Sequence, residues 1–216
     1  KADAEGDQRA EYNFYVDDDH VSIVERERGT PVDKVVSELM IYANAEWGRQ
    51  LGAAGYAAIY RSQSGGVARL TTVPAPHEGL GVAQYAWSSS PLRRYVDLIN
   101  QRQFLAMLAA APAPYQSGDE ALLIALRDFE LVYDAYAEFQ RNMERYWCLR
   151  WIEQENAIRL DATVIRDNLV RFNRLPLVIR VPSLRDAVAG DQVQIALSHV
   201  DLWELTVHGD FEGKTA

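Results

Sequence analysis

Residues 119–156 read as one long helix, because Phe129, Val132, Tyr136, Phe139, Met143, Trp147 and Trp151 recur at steps of three or four residues. An aromatic stripe of this kind is expected to form core rather than a ligand site. Immediately afterwards the pattern changes to short β-like runs at 162–165, 177–181, 193–197 and 202–207, with turn residues at Asp167-Asn168 and Ala189-Gly190-Asp191. Helices followed by clustered strands predict an α+β chain whose last part is a small OB-like β-barrel.

The stretch before the long helix adds three expectations. Residues 12–16 and 21–24 are β-prone runs separated by Asp17-Asp18-Asp19-His20, which predicts a hairpin. Residues 32–53 place Val35, Val36, Leu39, Met40, Ala43, Trp47 and Leu51 at helical spacing, predicting a helix with one buried face that ends at Gly52 and Gly55. Residues 62–84, rich in Gly, Ser, Thr and Pro, predict an ordered loop with short strands. Residues 1–10 are polar and predicted to be disordered.

Composition excludes some classes. At 216 residues the chain can hold a sizeable core plus a small second domain, and 48% apolar with 25% charged residues is ordinary for a globular protein. No apolar run approaches the length of a membrane-spanning helix, and the acidic start is unlike a signal peptide, so a cytoplasmic location with no membrane partner is expected. The only cysteine, Cys148, reads as a structural thiol. His20, His77, His199 and His208 lack metal-ligand spacing.

The net charge of −9 taken alone argues against nucleic-acid binding, but the charge is unevenly placed. Residues 145–185 carry eight arginines against four carboxylates, whereas residues 1–20 carry two bases against seven acids. The basic stretch is where RNA contact is expected, although a solvated face explains it as well.

The densest chemistry lies in Tyr85-Ala86-Trp87-Ser88-Ser89-Ser90-Pro91-Leu92-Arg93-Arg94-Tyr95, followed by Val96-Asp97-Leu98-Ile99-Asn100. Ser90 suits an N-cap and Pro91 the first helical position, so a helix is predicted to start near residue 91 and run to about 110. Arg93 and Arg94 then fall in its first turn, where a cation needs a nearby anion. Asp97 can hold one guanidinium and leave the other to a phosphate. A surface helix with an internal Arg/Asp pair accounts for the same residues equally well on this chemistry alone.

This run resembles the signature Tyr-x-x-Phe-Thr-Ser-Pro-Ile-Arg-Arg-Tyr-x-Asp-Leu of the RNB family of exoribonucleases, the ribonuclease II and ribonuclease R group. Val36-Ser37-Glu38-Leu39-Met40-Ile41-Tyr42-Ala43-Asn44 is similar to the family's Glu-Glu-x-Met-x-x-Ala-Asn helix, and Pro76-His77-Glu78-Gly79-Leu80-Gly81 to its Pro-His-x-Gly-Leu-Gly approach. The three occur in family order. Departures are Ser88 for an aromatic residue, Ser89 for threonine, and Gln63 and Gln101 for histidines.

The resemblance implies the helix-rich C-terminal half of an RNB catalytic domain over residues 1–157, followed by the OB-like RNA-binding barrel over 158–216. It implies a Mg²⁺-dependent 3′→5′ exoribonuclease that hydrolyses single-stranded RNA to nucleoside 5′-monophosphates. Arg93 and Glu144 match its catalytic positions, while Glu38, Arg94, Asp97, Arg102 and Arg145 are candidates for RNA binding. The family's metal-binding aspartates lie upstream of the matched segments, so the expected partners are single-stranded RNA and a missing N-terminal half of the catalytic domain. The chain alone is expected to bind no Mg²⁺ and to be inactive. Asp17-Asp18-Asp19 is expected to be a turn rather than a substitute metal site. Two other classes remain open: a non-catalytic RNA-binding module and a structural protein-interaction domain.

Overall fold

A computed structural model describes residues 11–26 and 30–215. The described residues divide into two packing units, one built from residues 11–26 and 137–215, the other from 30–136.

In the second unit, helix α1 (Pro31–Ala53) starts where sequence chemistry places it: Thr30 accepts the Asp33 N–H at 3.2 Å and Pro31 occupies the first turn. A hairpin follows, strands β3 (Tyr60–Ser64) and β4 (Val67–Thr71), closed at Gly65-Gly66, both with positive φ. A single 3₁₀ turn, Glu78–Leu80, leads into the signature segment, and helix α2 (Tyr95–Leu108) follows it. Helix α3 (Glu120–Gln154) contributes its residues up to Tyr136 to this unit. Ile59, Tyr85, Trp87, Val96, Ile99 and Leu122 form one buried cluster, and Leu51, Ala58, Tyr60 and Ala86 another.

The apolar stripe of α1 departs from expectation. Its second half is anchored by Asn44, Gly48 and Leu51, yet the first ten residues are exposed, including Val35, Val36, Leu39 and Met40, which were expected in a buried face. Helical periodicity reports that one face is apolar but not what covers it.

The other unit holds the hairpin β1 (Glu11–Asp17) and β2 (His20–Arg26), whose two turn residues, Asp18 and Asp19, both have positive φ. Asp17 pairs with His20 in the ladder, so the three aspartates divide between a strand end and a turn. Strands β5 (Arg159–Arg166), β6 (Leu169–Phe172), β7 (Val178–Arg180), β8 (Gln192–Asp201) and β9 (Thr206–Lys214) form one antiparallel sheet in the order β7-β6-β5-β8-β9. The sheet curls until β7 and β9 approach each other. A Cβ on Gly209 would lie 2.7 Å from Ile179 Cδ1 and 3.0 Å from Ile195 Cγ2, so a larger residue at that closure would force these side chains to shift.

This is the α+β architecture read from the sequence, a helical part followed by a curled five-stranded half-barrel, with two local differences. The pattern passes over β6, and residues 202–205 form the β8–β9 turn rather than a strand start. The core beneath the sheet joins Cys148, Leu149 and Ile152 of α3 to Val164, Phe172, Ile179, Val193 and Ile195.

The α3 stripe is core only at its ends. Phe129 and Trp151 pack against the clusters, whereas Val132, Tyr136 and Phe139 between them are 61–70% exposed. The expectation of a continuous buried stripe is corrected accordingly.

Candidate functional site

The signature segment does not begin a helix at residue 91. The Ser90 carbonyl accepts the N–H groups of Arg93 (3.2 Å) and Arg94 (3.0 Å), closing a turn over Pro91 and Leu92, and α2 starts at Tyr95 with Arg94 in the capping position. The reason lies in Asp97. Placed in the first helical turn, its carboxylate accepts Arg94 Nε (2.8 Å) and Nη2 (2.8 Å) and also the Ser90 backbone N–H (2.8 Å). Those bonds tie Ser90 back to α2 and leave it outside the helix.

Asp97 is fully buried, so its charge is sustained by this bidentate partner and by the amide, the arrangement that makes a buried carboxylate tolerable. Arg94 in turn lies 4.2 Å from the centre of the Trp87 ring, and Arg61 of β3 lies 5.0 Å from the same ring. Arg93 projects from the turn, exposed, and has no hydrogen-bond or ion-pair partner among the described residues. The division of labour read from the Arg93/Arg94/Asp97 spacing is therefore present, in a turn instead of a helix.

Buried amides set the backbone of this segment. Asn44 on α1 accepts the Ser88 N–H (3.0 Å) and donates to the Tyr85 hydroxyl (3.1 Å) and Ser89 Oγ (3.2 Å). Asn100 on α2 bonds both the N–H and the carbonyl of Ile59 and also the Trp87 carbonyl (2.7 Å). Gln101 donates to the Ser88 carbonyl (2.7 Å), and Gln103 joins Ala57 to Tyr115. Their buried hydrogen bonds fix loops that have no secondary structure of their own.

The remaining predicted residues fall in different places. Glu38 is on the exposed first half of α1, and Arg102 is exposed on α2, where it adjoins the Tyr115 phenol; the hydrogen bond with Tyr95 raises the Tyr115 pKa. Glu144 and Arg145 belong to the other packing unit. Glu144 accepts Gln140 Nε2 at 2.9 Å. Arg145 is half-buried, its guanidinium donating to the carbonyls of Leu205 and Val178, and burial lowers its pKa. Cys148 is buried and its thiol is pushed up to about 12 by that burial. Among the described residues no group of three or more His, Cys, Asp or Glu side chains is arranged to hold a metal ion.

Sequence reasoning passed over Gln103 and gave no role to Arg61 or to Asn100, which closes the quoted signature run. Asn44 and His77 sat inside quoted motifs, which was the available signal.

Comparison with known proteins finds matches in sequence around the turn and in fold. The RNB domain model matches residues 66–110, the stretch that contains the turn. Exoribonuclease 2 of Serratia proteamaculans is 39% identical over 69 residues, covering 32% of this chain and 10% of that protein. An uncharacterized ribonuclease of Synechocystis is 26% identical over 143 residues, covering 59% of this chain and 20% of its own length. The chain thus spans a tenth to a fifth of these curated relatives. Among solved structures, an active-site mutant of the Dss1 exoribonuclease from Candida glabrata superposes with a TM-score of 0.80 at 18% identity, covering 93% of this chain and 31% of that one. Apo RNase R of Mycoplasma genitalium gives 0.75 at 14% identity, covering 94% and 45%. Residues 66–110 thus match part of an RNB domain, and the chain is similar in sequence to exoribonucleases and in fold to the Dss1 and RNase R structures.

Proposed function

We propose that this chain supplies the substrate-positioning part of a Mg²⁺-dependent 3′→5′ exoribonuclease that hydrolyses single-stranded RNA to nucleoside 5′-monophosphates in the cytoplasm. The observation that carries the proposal is the exposed, unpartnered Arg93 guanidinium on a turn whose neighbour Arg94 is already committed to buried Asp97. An arginine held free on a braced backbone suits a phosphate oxygen, which accepts charge-assisted, bidentate hydrogen bonds. Mycoplasma genitalium RNase R, which shares the fold, has been solved in complex with single-stranded and with double-stranded RNA.

In this reading Arg93 contacts the phosphate near the scissile bond, and Arg94 with Asp97 holds the turn that presents it. Arg102 and Glu38 extend the contact along the strand, Glu38 toward a ribose hydroxyl. Glu144 is the second catalytic position. Arg145, matched as an RNA contact, has its Nε and one Nη given to carbonyls and serves mainly to hold the β8–β9 turn. Residues 1–157 belong to the catalytic domain and 158–216 to an OB-like barrel.

In this reading the Mg²⁺ and its carboxylates are supplied by another part of the catalytic domain, and the chain alone does not hydrolyse RNA.

The test is binding of a 5′-labelled single-stranded oligoribonucleotide by fluorescence anisotropy across a salt series. Arg93→Ala is expected to weaken binding about tenfold, or ~1.4 kcal/mol, and to lower the salt slope by about 1. Unchanged affinity and slope in Arg93→Ala would overturn the assignment, and hydrolysis by the wild-type chain in Mg²⁺ would overturn the absence of a metal site.

A further inference from the structure

One buried group in this unit has no role in the phosphate contact itself. His77, in the Pro-His-x-Gly-Leu-Gly segment, is 4% exposed and lies edge-on to the Tyr85 ring at 5.7 Å. Its backbone is fixed from both sides, by hydrogen bonding with Val82 and by bridge pairing with Gln63. Arg61 Nη1 lies 2.8 Å from His77 Nε2.

A guanidinium can only donate, so this bond requires Nε2 to carry a lone pair, which makes the ring neutral with its proton on Nδ1. Nδ1 is buried and has no partner. The contact is thus possible in one of the ring's three states: protonation would place an N–H and a positive charge against Arg61. The charged groups around the ring are Arg61 from β3 and, next in the chain, Glu78, whose carboxylate is taken by Ser64 Oγ (3.0 Å) and the Gly65 N–H (2.8 Å). The Tyr85 hydroxyl accepts from Asn44. Among the described residues no carboxylate bonds the imidazole to offset a second charge.

Arg61 is also one of the two guanidiniums on Trp87, the other being Arg94. The indole is buried and the Trp87 backbone carbonyl accepts from Asn100, so the ring is a fixed plate between β3 and the turn. We propose that Arg61 and His77 are positioning residues for the anion-binding turn: neutral His77 holds Arg61 on Trp87, and Trp87 so loaded sets Arg94 in the geometry that binds Asp97 and ties Ser90. The RNA consequence rests on the function proposed above, but the coupling itself does not.

Burial, and after it the Arg61 charge, lower the His77 pKa from its ordinary value. The sign follows. The unfolded chain takes up this proton first, so the stability His77 contributes is complete above about pH 6.5 and is lost as pH falls toward the lowered folded-state value.

The decisive experiment is nuclear magnetic resonance on the full chain without RNA. Long-range ¹H–¹⁵N correlation is expected to show His77 as the Nδ1–H tautomer at pH 7.5. On acidification, the Arg94 Nε–H and Ser90 amide signals are expected to shift together with His77's own midpoint. In His77→Gln, whose side-chain carbonyl can still accept from Arg61, that step is expected to vanish. Signals of Arg94 and Ser90 that stay flat through the wild-type His77 titration would overturn the coupling, and so would a step that persists in His77→Gln. Where the wild-type chain binds RNA, Arg61→Ala is expected to weaken binding about fivefold; undiminished affinity would overturn the positioning role. Failure of the wild-type chain to bind RNA counts against the proposed function alone, because the coupling is read without RNA.

Discussion

Asp97 is the residue on which the turn depends. It compensates Arg94, receives the Ser90 N–H and sits in the first turn of α2, all without exposure to solvent. Removing one partner of a buried pair leaves an uncompensated charge, so Asp97→Ala is expected to cost about 3–5 kcal/mol, read as a lowered urea midpoint. The pairing of Asp97 with an arginine three or four residues back was legible from spacing. Its third bond was not, because a backbone N–H seven residues upstream has no sequence signature. That bond is what moved the helix start from residue 91 to Tyr95. Cys148 is the opposite case: a lone cysteine among aromatic residues reads as structural, and burial pushes its thiol up to about 12.

Each long helix has a stretch that does not pack. On α1 the division falls between Leu39, 62% exposed, and Leu51, fully buried. Leu51→Ala is therefore expected to destabilise the chain by about 2–5 kcal/mol, while Leu39→Ala changes stability by no more than about 0.5 kcal/mol in chemical denaturation. On α3 the unpacked part is the middle, at Val132, Tyr136 and Phe139. Periodicity, caps and turn residues are local properties, so the helices and the 18–19 turn could be read from the chain, whereas residues 62–84 read only as an ordered loop with short strands and not as the β3–β4 hairpin. Strand β6, only four residues long, lacked a run sufficient to register.

At the scale of the whole molecule, the unit that contains the curled sheet draws on both ends of the chain. The β1–β2 hairpin joins it through Phe14 and Ile23, which pack against the core, and through Gln154. The Gln154 side chain accepts the Val21 N–H at 2.8 Å and donates to its carbonyl at 3.1 Å, imitating one rung of a β-ladder. Gln154→Ala leaves both groups unpaired at a buried residue. It is expected to cost about 1–3 kcal/mol and to release protection of the Val21 amide in hydrogen exchange; unchanged protection would show that the apolar contacts alone hold the hairpin. No periodicity points to a contact 133 residues apart. The amino-acid sequence by itself determined the element types, the order of helices before strands and the family signature with its Arg93, Arg94 and Asp97, since these depend on residues within a few positions of one another. Only the tertiary structure decided which apolar faces are covered, which arginine is free, and that Asn44, Asn100, Arg61 and His77 converge on the turn, because burial and convergence depend on distances in space that a linear pattern does not encode.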